Sequence, residues 1–498
     1  MIKKFVTSGL GSFYLIVTQS LGYLFITHLL IRYLPPIYAS AWFLFISIAL
    51  FVSIFDFGLS PTLSREIGFS HGNEGLDKKR LLGTIYTAVS LNTIMAFVLL
   101  LVGIIGGGAY LHHVFPKVDY PIISHAYFYF LFGTFFMFLS NPFFAVHYGF
   151  GHVATERFLR SLSWLLAMLL LYIGVKCNLS FPQLGMLWLT QGVIVHFIAR
   201  VYTIVKFKLH FLSVYIDYKQ LPLIIGPSLK WAVMSFGAIL ILQTSNFVIA
   251  SALKPELIAQ YAPLMQLATA IMTLGGVVQL ALVPMVSKLM GKGEHQKIRG
   301  ILLFSSRTTL CLVLLPAICL LCWGGEIVHF WLGAAFHYSF GIMVVLLIMS
   351  VLESHHVSCA AVVMATGYIK FMIPALLSGV LTLVFSVCFA HYWGLVGVAL
   401  GVMCAQLMTN NWYAVFVSLR CLHVSAGSFF YNLLPVFFYA IILFGVGCLL
   451  SYWHQSVGLW MLLFNLLILS MVAAIFLMLL YWKNISGFCQ LSRKNHHE

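Results

Sequence analysis

The residues equipped for chemistry are few, and most of them lie inside apolar stretches. Glu353 stands in the middle of MSVLESHHVSCA, with His355 and His356 beside it. Arg307 sits about two turns inside another apolar run, past an anchoring Arg299. Arg32 ends the first run, four residues after His28, so both project from one helical face. Asp56 lies in FDFGLSP, where Pro61 is placed to loosen a helix end and expose carbonyls. A charge in hydrocarbon costs about 2.5–3.5 kcal/mol on insertion scales, so each of these four needs a partner or a wet cavity. For Glu353 the choice is between a substrate path with proton coupling and a structural hydrogen bond. Arg307 either faces a lumen or packs. Arg32 either serves a polar path or snorkels to the headgroups, and Asp56 either serves such a path or pairs with Arg65.

Covalent chemistry finds less support. Adjacent histidines point to different faces of a helix, so His355 and His356 do not chelate one metal through i,i+4 geometry. A histidine base for acyl transfer needs a nucleophile and an orienting group, and the sequence pattern supplies neither. Cys319-Leu-Leu-Cys322 has the C-x-x-C spacing but no second pair. No catalytic residue, metal or cofactor is expected.

The elements that hold these residues follow from composition. Of 498 residues, 62% are hydrophobic and 8% are charged, against about 25% charged in soluble domains. Only a bilayer accepts that surface, and in a bilayer the backbone must bond within helices or a closed barrel. The apolar runs are continuous rather than alternating, so helices are expected. The net charge of +15 does not indicate a nucleic-acid binder, which would need a basic patch on a soluble module. Fourteen spans are expected, at roughly 9–31, 38–59, 82–110, 122–146, 158–175, 182–205, 231–253, 257–286, 300–322, 341–364, 371–391, 394–418, 432–452 and 457–482. The first is read as uncleaved, being too long for a signal segment.

Placing both termini in the cytoplasm leaves only Arg32, Lys117, Lys176 and Lys254 on the outer side; the other 23 of the 27 Lys and Arg fall on the cytoplasmic side or in a span's cytoplasmic half. Within the chain, GLSPTLSREIG at 58–68 matches ALVPMVSKLMG at 281–291. Each ends the second span of its half. Six spans precede the second copy's first helix, so both halves have the same orientation and the repeat is parallel, with its axis along the membrane normal. The expected organisation is a six-helix lobe at 1–220, a second at 221–425, and two further helices with a tail at 426–498. Two polar sets, Gln243 to Asn246 and Gln266, Thr269 and Thr273, fit interhelical hydrogen bonding or lumen lining.

The segments KKFVTSGLGSFY, FDFGLSPTLSREIG, GGEIVHFWLGAAF and HYWGLVGVALG, in that order, resemble lipid-linked oligosaccharide flippases of the Wzx type. These belong to the multidrug/oligosaccharidyl-lipid/polysaccharide exporter superfamily. The resemblance implies two lobes in a V around a cavity. It implies a polyprenyl-diphosphate-linked oligosaccharide as cargo, moved from the cytoplasmic to the periplasmic leaflet of the bacterial inner membrane for O-antigen or capsule synthesis. It also implies membrane lipids and a polysaccharide polymerase complex as partners, and no nucleic acid. With such a cargo, Arg32 and Arg307 are candidates for diphosphate counter-charge, and Asp56 and Glu353 for the remaining substrate path. The alternatives are an ion-coupled multidrug exporter of the same superfamily, against which the extra pair of helices argues, and an integral-membrane glycan polymerase, ligase or acyltransferase.

Overall fold

The computed structural model describes residues 2–52, 56–72, 78–209, 215–219, 221–368, 371–453 and 458–494. The described residues are helical throughout, joined by short turns. Helices α1 (Ile2–Tyr33) and α2 (Pro36–Val52) are followed by α3 (Leu59–Gly72) and α4 (Lys78–Val102). A π-helical turn, Gly103–Gly107, carries α4 into α5 (Gly108–Val114). Then come α6 (Tyr120–Leu139), α7 (Asn141–Gly149), α8 (Val153–Lys176) and α9 (Phe181–Phe207). The rest comprises α10 (Leu221–Ala252), α11 (Ile258–Gly291), α12 (His295–Leu332), α13 (Phe340–Ala365), α14 (Met372–Met408), α15 (Asn410–Cys421), α16 (Ala426–Trp453) and α17 (Leu459–Lys494).

Among the described residues, twelve helical stretches are long and apolar enough to cross a membrane. The described part of the apolar α2 is shorter, and the stretch Met372–Cys421 contains two passes joined at Gly394, whose φ of +54° suits a residue without Cβ. This is an all-helical, multi-pass membrane protein. The fourteen expected spans each find their helix.

Their edges differ in instructive places. Residues 53–55 of the expected second span, 38–59, lie outside the described residues; past them the chain turns through Phe57 (φ +46°) and Gly58 (φ +70°), within the expected span, before α3. Pro61 therefore opens α3 rather than loosening the end of α2, and in a first turn its missing N–H costs nothing. In the second copy of the repeat, α11 runs unbroken past Pro284. Between the expected spans 300–322 and 341–364 the chain is largely helical, because α12 bends at Trp323 and continues to Leu332.

By packing, the chain forms two compact units. One comprises Met1–Gln266 with Phe371–Ala405, the other Leu267–Lys370 with Gln406–Glu498. In the first, α6 and α9 approach closely because Gly133 and Gly192 put backbone against backbone. In the second, α12 packs on α13, α16 and α17. The repeat segments make matching bonds, each inside its own unit. Ser64 Oγ lies 3.1 Å from the carbonyl oxygen of Ala145, near the end of the fourth span, and 3.0 Å from that of Ser60. Ser287 Oγ lies 3.1 Å from that of Ala365, at the end of the tenth, and 3.2 Å from that of Val283.

Candidate functional site

The four charges named from sequence take four different settings. Asp56 accepts a hydrogen bond from Ser60 Oγ at 3.1 Å, and Arg160 lies within its electrostatic reach. It does not pair with Arg65, which bonds Glu66 at 3.0 Å. Arg32 is exposed in the last turn of α1. Beside it Lys176 Nζ donates to Tyr33 Oη at 3.0 Å and lies 4.8 Å from the centre of that ring. Asp56 and Arg32 belong to the first unit.

Arg307 and Glu353 belong to the second. The Arg307 guanidinium lies 4.9 Å from the centre of the Tyr481 ring on α17, and Tyr481 Oη in turn bonds Thr308 Oγ1 at 2.7 Å. The buried Nε of Arg307 has no hydrogen-bond partner among the described residues. Glu353 meets His356 Nδ1 at 3.3 Å, one turn along α13. Although α12 and α13 pack together, no ion pair joins Arg307 to Glu353 among the described residues.

His355 turns away from Glu353 to Ser306 Oγ on α12, at 2.8 Å. Sequence could not offer this partner, 49 residues distant. Serine beside histidine invites a nucleophile reading, but Ser306 is wholly buried and the nearby carboxylate is engaged by the other histidine. Around the pair runs a buried hydroxyl ladder. Ser305 and Ser358 are 2.8 Å apart, Thr309 is 3.4 Å from Ser358, and Gln279 is 3.1 Å from Thr309. The ladder satisfies polar groups that lipid would leave bare. The polar set on α10 behaves likewise: Asn246 donates to Ser47 at 2.8 Å, and Ser245 accepts from Tyr261 at 3.3 Å.

One constellation that sequence did not single out is a cavity of about 310 Å³ inside the first unit, lined by α1, α2, α6, α7, α8, α9 and the first turns of α11. Its lining holds two aromatic groups. Tyr23 and Trp164 stand with centroids 4.4 Å apart; Phe130 stacks on Trp188 at 5.0 Å, with Trp42 edge-on to both. Gly22 lets Trp164 lie against α1, since a Cβ there would come within 2.9 Å of the ring. Polar groups are interleaved: Gln19, Thr27, Thr134, Asn141, Ser163, Gln191 and Gln266. Thr27 bonds Gln266, and Gln191 Nε2 donates to Ser163 Oγ at 2.5 Å. The one charged lining residue is Arg160, bonded to the buried Glu156 and lying 4.6 Å from the centre of the Phe144 ring. Arg160 reads in sequence as one more cytoplasmic anchor, because its partner Glu156 and its stacking ring carry no intramembrane signature.

No family model matches the sequence, and no curated protein does. Solved structures do. The chain is similar to lipid II flippase MurJ in an inward closed conformation, at 14% identity and TM-score 0.68, over 96% of this chain and 100% of that one. It is similar to an inward-facing multidrug resistance MATE family transporter of the MOP superfamily, at 15% identity and TM-score 0.67, over 82% and 96%. It is also similar to the MATE multidrug transporter DinF-BH, at 13% identity and TM-score 0.59, over 85% and 95%. The chain has the fold of the MOP-superfamily membrane transporters.

Proposed function

We propose that the protein is a flippase carrying a polyprenyl-diphosphate-linked oligosaccharide from the cytoplasmic to the periplasmic leaflet of a bacterial inner membrane, for O-antigen or capsule assembly. The observation that carries this reading is coverage. Likeness to the lipid II flippase extends over 96% of the chain, whereas the MATE comparisons reach 82% and 85%. The shortfall has about the size of the last two helices, α16 and α17. Those helices pack on α12, and Arg307 stacks on one of them. The lobes are taken as 1–220 and 221–425, a division supported by the matching Ser64 and Ser287 bonds. Arg32 and Arg307 supply counter-charge for a diphosphate, and Asp56 and Glu353 belong to the polar path. A polysaccharide polymerase complex is the expected partner.

An ion-coupled exporter is the second reading, favoured by a TM-score of 0.67 to a MATE transporter. Complementation separates the two. In a bacterial strain lacking its own O-antigen flippase, expression of this chain should restore surface glycan without conferring resistance to organic cations. Resistance without glycan display reverses the assignment. The purified protein should cleave and transfer no sugar, since transport alone needs no covalent step.

A further inference from the structure

We infer that the cavity inside the first unit is a sugar-binding subsite for one ring of the transported glycan. The inference rests on the flippase reading and adds a place and a chemistry to it. Three buried polar atoms on the cavity's lining residues have no hydrogen-bond partner among the described residues: Nε1 of Trp42, Nε1 of Trp188 and Oε1 of Gln191. Trp42 is fully buried and Gln191 is 1% exposed. Buried polar groups are ordinarily satisfied, and each one left open costs about 1–3 kcal/mol. Two donors and one acceptor left open around a single cavity call for a ligand with both acceptors and donors, which a ring of hydroxyls provides.

The aromatic groups point the same way. A sugar presents C–H faces between its hydroxyl edges, and Tyr23, Trp164 and Trp188, which are half-buried, offer apolar ring surface in the lining, with the buried Phe130 and Trp42 packed against Trp188. The volume of about 310 Å³ is at the low end of small-molecule pockets, so it takes a small headgroup fragment rather than a whole oligosaccharide. An organic cation would also stack on tryptophan. Among the described lining residues the one charged group is Arg160, which is paired with Glu156. The lining therefore offers a cation no free carboxylate, and the cation probe below separates the two ligands.

The test uses the full-length protein in lipid nanodiscs with three radiolabelled probes: N-acetylglucosamine, glucuronic acid and the organic cation tetraphenylphosphonium. At least one sugar should bind saturably, and its affinity should fall about tenfold, or 1.4 kcal/mol, in Gln191→Leu. Trp188→Phe keeps a ring but removes the Nε1–H, and should show a loss of the same order. Trp412→Phe, at an exposed position on α15, should bind as the unaltered protein does. Absence of saturable sugar binding, affinity in Gln191→Leu and Trp188→Phe unchanged from the unaltered protein, or tetraphenylphosphonium binding tighter than either sugar overturns the assignment. Restored glycan display without sugar binding would remove this subsite and leave the flippase. Sugar binding lost in the two variants, without restored display, would leave the subsite and remove the flippase.

Discussion

At the scale of single residues, the informative contrast is between Arg307 and Glu353, two intramembrane charges in one unit with different partners. Arg307 is held by a ring, so its charge is stabilised without being neutralised, and such a contact is worth about 0.5–2 kcal/mol. Its planar donors remain available to a phosphate, which lysine can meet only as a point charge. Arg307→Lys should therefore depress glycan display less than Arg307→Ala, with both variants inserted at normal level; full display in Arg307→Ala would reduce the residue to a packing group. Glu353 is held by His356. Glu353→Gln keeps the size and an acceptor for that histidine, so insertion should persist while display falls if the carboxylate titrates during transport. Unchanged display at normal insertion would make the Glu353–His356 contact structural.

At the scale of elements, the sequence announces where helices are and says little about how they break. Hydropathy located every span because twenty apolar residues have no other stable state in lipid. It extended the second span to residue 59, since Phe57 and Gly58 are as apolar as their neighbours and the turn is made by backbone dihedrals, not polarity. Intramembrane charges were legible as isolated letters; Tyr481, the ring beside Arg307, and Ser306, the partner of His355, were not, because those contacts join residues on different helices. The cavity was invisible for the same reason: tryptophan and glutamine read as span interior until seven helices bring them together. Helix contact does have a local signature in glycine. A Cβ at Gly192 would strike the backbone of Gly133, while one at Gly445 meets nothing within 4 Å. Gly192→Val should therefore cost more than the about 1–3 kcal/mol typical of overpacking, since backbone rather than a side chain must move. Gly445→Val should be near neutral. Thermal unfolding of the two purified variants measures the difference, and similar midpoints would show that α6 and α9 can separate without cost.

At the scale of the whole molecule, topology hangs on the count of passes. The described part of the second pass, α2, covers Pro36–Val52. If this segment failed to cross, every later loop would change sides. The basic residues argue that it crosses: with fourteen passes and inner termini, only Arg32, Lys117, Lys176 and Lys254 of 27 Lys and Arg lie outside, and losing one pass after α1 would place the dense clusters at 78–80, 206–208 and 288–299 in the outer compartment. Reporter fusions after Lys117 and Lys176 should score outside, and fusions after Lys79 and Lys292 inside. The Lys79 fusion reads α2 directly, and the Lys292 fusion reads the second copy of the repeat. If Lys79 scores outside, α2 does not span. If Lys79 scores inside and Lys292 outside, the halves do not share an orientation, and the parallel repeat falls with the lobes drawn from it.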